Sequence, residues 1–341
     1  MFTLQDVALP ILAAPMAGGA STPELVAAVA AAGGFGSLAA GYRTATAMSE
    51  QIAATRKLTD RPFGVNLFVP AASDPAVLAG LPAYREELRP DAERLGARLP
   101  EEIPADDEDW AAKIAALLAD PVPVVSYTFG LPTPAEAEAL AAVGTAQVAT
   151  VTSVAEARAA AELGMSALAV QGPEAGGHRG THSVAAAPGT EPLLTLLAEV
   201  RAAVGLPIIA AGGIGDGPAI AAALTAGAAA VQLGTAYLLA DEAGTAAGHR
   251  AALRSPEFTE TAITRAFTGR AARGLRNSFI DRHAGRAPYA YPEVHHLTAP
   301  LRQAASRAGD VQSMHLWAGT AFRSARPGPA AEITAELWRA V

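Results

Sequence analysis

Short apolar runs alternate along this chain with longer alanine-rich segments, and the alternation repeats. Four of the longer segments begin with Ser, Thr or Asp near their start and end on Gly, and they cover residues 21–33, 132–144, 152–164 and 216–227. A side-chain oxygen at the start of a helix accepts a hydrogen bond from an unpaired first-turn amide, and glycine readily adopts the left-handed conformation that ends a helix. We therefore predict four helices, with capping boxes that pair Thr133 with Glu136 and Ser153 with Glu156.

The apolar runs are too short for further helices and are typical of strands that are buried on both faces. Eight such runs are present, at residues 11–14, 35–39, 63–67, 122–126, 147–150, 167–170, 207–210 and 229–233. Eight strands that alternate with helices predict a (β/α)8 TIM barrel of the α/β class. An open doubly wound sheet is the alternative. It is disfavoured because Pro15 and Met16 follow the first strand where a dinucleotide-binding fold has spaced glycines.

Two segments do not follow the repeat, although we predict a single domain over residues 1–341. Residues 68–120 are interpreted as a helical insertion after strand three, with helical patterns near 83–99 and 110–119. Residues 241–341 are expected to be helical and loop-like, to be interrupted at prolines such as Pro300, and to form a C-terminal cover over the barrel mouth.

Composition narrows the classes of function. A net charge of -8 argues against a general affinity for nucleic acid or anionic membrane. The chain has no cysteine, so disulfides, iron–sulfur clusters and cysteine nucleophiles are excluded, and redox chemistry would need a bound cofactor. Without a long apolar span or a basic leader segment, we expect a cytoplasmic protein, either a monomer or a homodimer, with a small-molecule ligand.

Barrel active sites lie at the carboxyl ends of the strands, where the loop after strand six is distinctive. Residues 171–180 contain four glycines and His178. The glycines allow the backbone to approach a ligand closely, and an imidazole is suited to accept a proton from a substrate carbon. A zinc site that pairs His178 with His182 is disfavoured because the glycines prevent the helix that such spacing needs.

The loops after strands seven and eight are also rich in glycine, at residues 211–216 and 232–235. Backbone amides in these two loops form the phosphate site that many barrels share. Asn66 and Gln171 offer amide groups that suit the polar edge of an isoalloxazine or the ribityl hydroxyls, although a buried amide bonded to backbone is an equal alternative for each.

These motifs together resemble the class I nitronate monooxygenases, also called 2-nitropropane dioxygenases. The resemblance runs from about residue 8 to residue 320 and rests mainly on residues 10–19, 33–36, 171–180, 211–214 and 232–235, with weaker echoes at 269–274 and 317–319. It implies a non-covalent FMN, an alkyl nitronate or nitroalkane substrate, dioxygen as the oxidant, and a carbonyl compound and nitrite as products. A role in detoxification is one use that the family implies.

The resemblance also assigns roles by position. His178 matches the catalytic histidine, Arg179 is left outside the site, and no metal is implied. The positions that match the FMN site are Ala14, Pro15, Met16, Asn66, Gln171, Gly176, Gly177, Gly212, Gly213, Gln232, Gly234 and Thr235. Departures from the family pattern occur at Leu9, Thr320 and the pair His295–His296, and they affect the expected substrate preference more than the cofactor.

Two other functions stay open. An FMN-dependent enoyl-acyl-carrier-protein reductase has a similar barrel and a loop similar to residues 174–180, but it must oxidise NADH or NADPH. A flavin-binding barrel without turnover, acting as a sensor or partner protein, is the alternative from outside the enzymes.

Overall fold

The computed structural model describes residues 3–71 and 74–341 and contains two sheets. The larger sheet has eight parallel strands: β1 (Ile11–Ala13), β2 (Ser37–Ala39), β3 (Gly64–Phe68), β4 (Val124–Thr128), β5 (Ala146–Val151), β6 (Ala167–Gln171), β8 (Ile208–Ala211) and β9 (Ala230–Leu233). The smaller sheet is antiparallel and consists of β7 (Gly177–His178), β10 (Thr261–Thr264) and β11 (Ala272–Leu275).

The larger sheet closes into a barrel. Its strand order is β1-β9-β8-β6-β5-β4-β3-β2, and the gap between β1 and β2 is bridged by the chain just before β2. There Ala13 N donates to Phe35 O at 2.8 Å, and Phe35 N donates to Ile11 O at 3.0 Å. All eight predicted strands are present within two residues of their expected bounds, so the predicted TIM barrel is confirmed.

The helices form an outer layer and a second group beyond it. Those that cover the barrel are α1 (Pro23–Ala31), α2 (Ala45–Leu58), α5 (Trp110–Ala119), α6 (Pro134–Ala142), α7 (Val154–Glu162), α8 (Leu193–Ala203), α9 (Gly217–Thr225) and α13 (Ala330–Arg339). The others are α3 (Pro75–Leu78), α4 (Leu81–Leu95), α10 (Ala247–Arg254), α11 (Ser278–His283) and α12 (Glu293–Ala308).

Local capping explains where the barrel helices begin. The predicted capping box of α6 is confirmed, because Glu136 Oε2 accepts from Thr133 N at 2.8 Å while Thr133 Oγ1 accepts from Glu136 N. The predicted box of α7 is only half right. Ser153 Oγ accepts from Glu156 N at 3.3 Å, but the Glu156 carboxylate accepts from Thr152 N and Oγ1 at 2.6 and 2.8 Å. The carboxylate binds Thr152 because that residue presents two donors.

The two segments outside the repeat pack partly on each other. α4 packs against α12, and their shared apolar cluster includes Tyr84, Leu88, Leu297 and Leu301. By contrast, α5 packs between α2 and α6, and α13 packs between α1 and α9, so both belong to the outer layer of the barrel. The division into a barrel, an insertion at 68–120 and a cover at 241–341 stays a prediction, and residues 72–73 of that insertion lie outside the described residues.

The C-terminal region is largely helical, as expected, but it differs from the expectation at two points. The region contains β10 and β11, and β11 pairs with β7 in a register that places Ala272 opposite His178, so His178 lies in a strand. Pro300 does not end a helix but lies inside α12. The missing amide costs about 3 kcal/mol, which the burial of Val294, Leu297 and Leu301 on the same helix offsets.

Candidate active site

A cavity of about 490 Å³ lies at the carboxyl ends of the barrel strands. This volume falls within the range of about 300–1,000 Å³ that is usual for small-molecule sites. Every site residue predicted from the sequence lines it: Ala14, Pro15, Met16, Asn66, Gln171, Gly176, Gly177, His178, Gly212, Gly213, Gln232, Gly234 and Thr235. The structure therefore brings together the ends of β1, β3, β6, β8 and β9.

One end of the cavity is formed by backbone packed too closely for side chains. A Cβ on Gly176 would lie 2.5 Å from Gly319 N, and a Cβ on Gly213, which has φ +69°, would lie 2.8 Å from the Cβ of Glu174. Thr235 Oγ1 accepts from Gly319 N at 2.9 Å, so its own proton is free to donate into the cavity. Bare backbone beside a hydroxyl fits the phosphate group that the sequence predicts here.

The two predicted amide side chains are already partly bonded. Asn66 is 2% exposed, and its Nδ2 donates to Thr128 Oγ1 at 3.1 Å. Gln171 Nε2 donates to His178 O at 3.0 Å, and its Oε1 accepts from Gly180 N at 2.9 Å. Both amides thus shape the site through contacts with the protein. The second amide proton of Gln171 and the carbonyl oxygen of Asn66 remain as groups that suit the polar atoms of a flavin.

A hydrogen bond to Thr268 orients His178 and favours one tautomer. The imidazole Nε2 lies 2.9 Å from Thr268 Oγ1, and that hydroxyl lies 3.2 Å from Arg270 O, which can only accept. When the hydroxyl donates to Arg270 O, its oxygen accepts from Nε2, so Nε2 carries the hydrogen and Nδ1 carries the lone pair. Rings of Tyr291 and Trp317 pack against the imidazole, each with centroids 5.6 Å from it.

The surroundings keep this imidazole neutral. Burial, followed by the positive charges of Arg270 and Arg302, lowers the pKa of His178 to about 3. Arg270 is 1% exposed, donates to Thr181 O at 2.7 Å, and lies over the ring of Phe129 at 4.0 Å. His178 is consequently a free base at neutral pH, ready to take a proton but able to keep it only beside a negative charge.

Several neighbours of the site were given no role in the sequence analysis. Thr268, Arg270 and Trp317 come from the C-terminal region, whose strands the sequence did not reveal. Tyr291 is 6% exposed and packs against His178, whereas Tyr289 is 38% exposed.

Arg179, which the sequence analysis left outside the site, supports the loop from behind. Its Nη1 donates to Gln171 O at 2.8 Å and to Gly172 O at 2.5 Å, and the side chain is 1% exposed. Because the guanidinium donates hydrogen bonds to these two carbonyls, Arg179 stabilises the turn that follows β6.

The described part of the chain contains no group of His, Asp and Glu side chains arranged to hold a metal ion. His182 Nε2 instead lies 3.0 Å from Thr150 O. Among the described residues, no helix is both long enough and apolar enough to cross a membrane.

A barrel with a glycine-lined cavity at its mouth and a neutral histidine in the cavity wall has the architecture of a TIM-barrel enzyme. Comparison with known proteins then defines the family to which this enzyme belongs. The chain belongs to the nitronate monooxygenase family, whose model matches residues 3–339, and it is accordingly an oxidoreductase.

Individual relatives agree with this assignment. A probable nitronate monooxygenase of Staphylococcus aureus strain Newman is 35% identical, with 97% of this chain and 94% of the relative covered. The crystal structure of nitroalkane oxidase from Streptomyces ansochromogenes superimposes with a TM-score of 0.94 at 47% identity and covers 99% of this chain and 96% of that one. FabK from Thermotoga maritima is similar at a TM-score of 0.74 and 26% identity, over 98% and 93% of the two chains.

Proposed function

We propose that this chain binds FMN and uses dioxygen to oxidise alkyl nitronates, and neutral nitroalkanes, to a carbonyl compound and nitrite. The observation that carries the proposal is His178, a neutral base that is hydrogen-bonded to Thr268 in the wall of a cavity at the barrel mouth. The described residues that line this cavity include no Asp or Glu, which favours an anionic substrate. We further propose a cytoplasmic protein, as a monomer or a homodimer.

FMN, when bound, supplies the electron transfer between substrate and dioxygen. Its phosphate would lie against Gly176, Gly213 and Thr235, where the backbone is bare. The ring would lie between Ala14–Met16 and the loop of Gln171. The remaining residues proposed to contact it are Asn66, Gly177, Gly212, Gln232 and Gly234.

His178 has a different task with each form of substrate. With a neutral nitroalkane, His178 Nδ1 accepts the proton from the carbon that bears the nitro group. His178 Nε2 keeps its hydrogen, which stays hydrogen-bonded to Thr268 Oγ1. A preformed nitronate has already lost that proton, so His178 then only orients the anion. Turnover of a neutral nitroalkane should therefore depend on His178 much more than turnover of its nitronate.

The test is oxygen uptake by the purified protein with propyl-2-nitronate, alongside nitrite release and a parallel reaction with NADH. We expect bound FMN, nitronate-dependent oxygen uptake and nitrite, without any need for NADH. Bound flavin with NADH oxidation alone would indicate the enoyl reductase instead. Absence of flavin would contradict both functions.

The non-catalytic alternative needs a variant. If the wild type and His178→Ala both retain flavin and neither turns over a nitronate, a nitroalkane or NADH, the chain is a flavin-binding module. A selective loss of nitroalkane turnover with retained flavin would support the proposed base.

A further inference from the structure

One permanently charged side chain lines the cavity among the described residues, namely Arg302. It belongs to α12, which presents one face to the cavity. The residues of that face follow helical spacing and are His295, Ala299, Arg302, Gln303 and Ser306. A cation therefore faces the space in which the substrate of this enzyme must bind.

Hydrogen bonds hold the guanidinium group in place. Arg302 Nε donates to Thr298 Oγ1 at 3.1 Å, and Nη2 donates to His295 O at 2.8 Å. Thr298 Oγ1 in turn donates to Phe267 O at 2.5 Å, which anchors the network to the loop after β10. Within the described residues these bonds use Nε and Nη2. The Nη1 group can therefore donate to a ligand in the cavity. The side chain is 9% exposed.

The charge of Arg302 has no anionic partner in the described part of the chain, where its hydrogen bonds all go to neutral groups. Burial lowers the pKa of Arg302 to about 10, so the group is still positively charged at neutral pH. Burying a cation without a counter-ion costs folding free energy. An anion in the cavity would supply the missing partner and form a charge-assisted hydrogen bond.

We propose that Arg302 binds the nitro or nitronate oxygens of the substrate and thereby places the reacting carbon at His178. The inference rests on the proposed function, since it concerns the substrate of the same site. The positive charge of Arg302 acts directly on the imidazole of His178, as does that of Arg270. Arg270 does not line the cavity, however, and donates to Thr181 O, so Arg302 is the cation that an oxyanion in the cavity can reach.

Arg302 makes proton removal by a weak base feasible. When a neutral nitroalkane loses its proton to Nδ1 of His178, the electrons of the broken C–H bond move to the nitro oxygens. The products are an imidazolium and a nitronate, so no charge is gained or lost in the step. A guanidinium beside the oxygens stabilises this developing charge, which burial alone would oppose.

The experiment compares Arg302→Met, Arg302→Gln and Arg302→Lys with Arg307→Met, a control at an exposed position on the same helix. With propyl-2-nitronate, the Met and Gln variants should lose about 10- to 100-fold in kcat/KM, mainly through KM, which is the loss expected for one hydrogen bond between charged groups. Arg302→Lys should recover part of the loss, and Arg307→Met should match the wild type.

Two further readouts separate substrate binding from a structural role. Nitrate, a planar oxyanion of similar shape, should bind the flavin-loaded wild type in calorimetry, and its affinity should fall in Arg302→Met by a similar factor. Because the Arg302 charge helps to lower the pKa of His178, the acid limb of the pH profile with 2-nitropropane should move to higher pH in this variant. A shift of this limb without any loss of nitrate affinity would show that Arg302 acts on His178 but does not bind the oxyanion, and it would contradict the proposal.

Wild-type kcat/KM for propyl-2-nitronate in Arg302→Met and Arg302→Gln would overturn the proposal. So would a loss confined to a nitronate that bears an additional carboxylate, since Arg302 would then bind a remote group. A wild-type protein that oxidises no nitronate would contradict the proposed function, and the nitrate titration would still test Arg302 by itself.

Discussion

Replacing Thr268 with valine tests whether this residue sets the tautomer of His178. Valine keeps the shape of threonine but removes the oxygen that lies 2.9 Å from His178 Nε2. Thr268 is 2% exposed, so no bulk water replaces the lost acceptor. The imidazole must then leave Nε2–H unpaired or move the hydrogen to Nδ1, which abolishes the lone pair that accepts the substrate proton.

The size of the effect follows from the cost of an unpaired buried donor, about 1–3 kcal/mol. If the same free energy separates the two tautomers, removal of the Thr268 oxygen lowers the competent population by about 5- to 150-fold. We expect kcat/KM for 2-nitropropane to fall by about this factor. Propyl-2-nitronate needs no proton transfer, so its kcat/KM should change less than about threefold.

The assay is oxygen uptake under air with each substrate, normalised to bound flavin. Thr264→Val is the matched control, because Thr264 is also 2% exposed and its Oγ1 accepts from Ala266 N, away from the cavity. Equal losses with both substrates, or no loss with either, would refute the assignment of Nδ1 as the base.

Three other changes test separate parts of the structure. Gly176→Ala should release flavin on gel filtration, since its Cβ would meet backbone at 2.5 Å, whereas Gly205→Ala, with open space around it, should retain flavin; equal retention would contradict the site. Lys113→Met should lower the free energy of unfolding by about 3–5 kcal/mol in urea, because the buried Glu108 carboxylate 3.1 Å from the ammonium loses its cation, and adding Glu108→Gln should restore part of the loss. Burial lowers the pKa of His249 to about 4, below the value of about 6.5 for an unfolded chain, so the unfolded state binds more protons between these values. The free energy of unfolding should thus rise with pH from about 4 to 6.5, by up to about 1.4 kcal/mol per pH unit for this histidine, and urea titrations of His249→Asn should show a smaller slope.

The barrel could be predicted because its signals are local. Each helix start carries its own capping residue, such as Thr22 or Asp216, and each buried strand is a short apolar run. Likewise, cavity residues such as Asn66 and Gly213 follow strands of a parallel sheet, whose carboxyl ends must meet at one mouth. Neither inference needed knowledge of contacts between distant residues.

The part of the site that orients His178 and lowers its pKa could not be predicted in this way. Thr268 and Arg302 come from a region without the helix–strand repeat, and their positions depend on long-range contacts such as the pairing of β11 with β7. The Pro300 error has the same origin, because buried contacts of α12 outweigh the local effect of proline. Glu156 shows that even a local motif can be predicted only in part, because its carboxylate accepts hydrogen bonds from Thr152 N and Oγ1 and not from the predicted partner, Ser153.

The most direct test of the whole account is to mix the purified flavin-loaded protein with propyl-2-nitronate in the absence of oxygen and to follow the visible flavin absorbance. We expect the nitronate to bleach the flavin without NADH, and admission of air to restore the absorbance with release of nitrite. A flavin that NADH bleaches but the nitronate does not would contradict the proposed function.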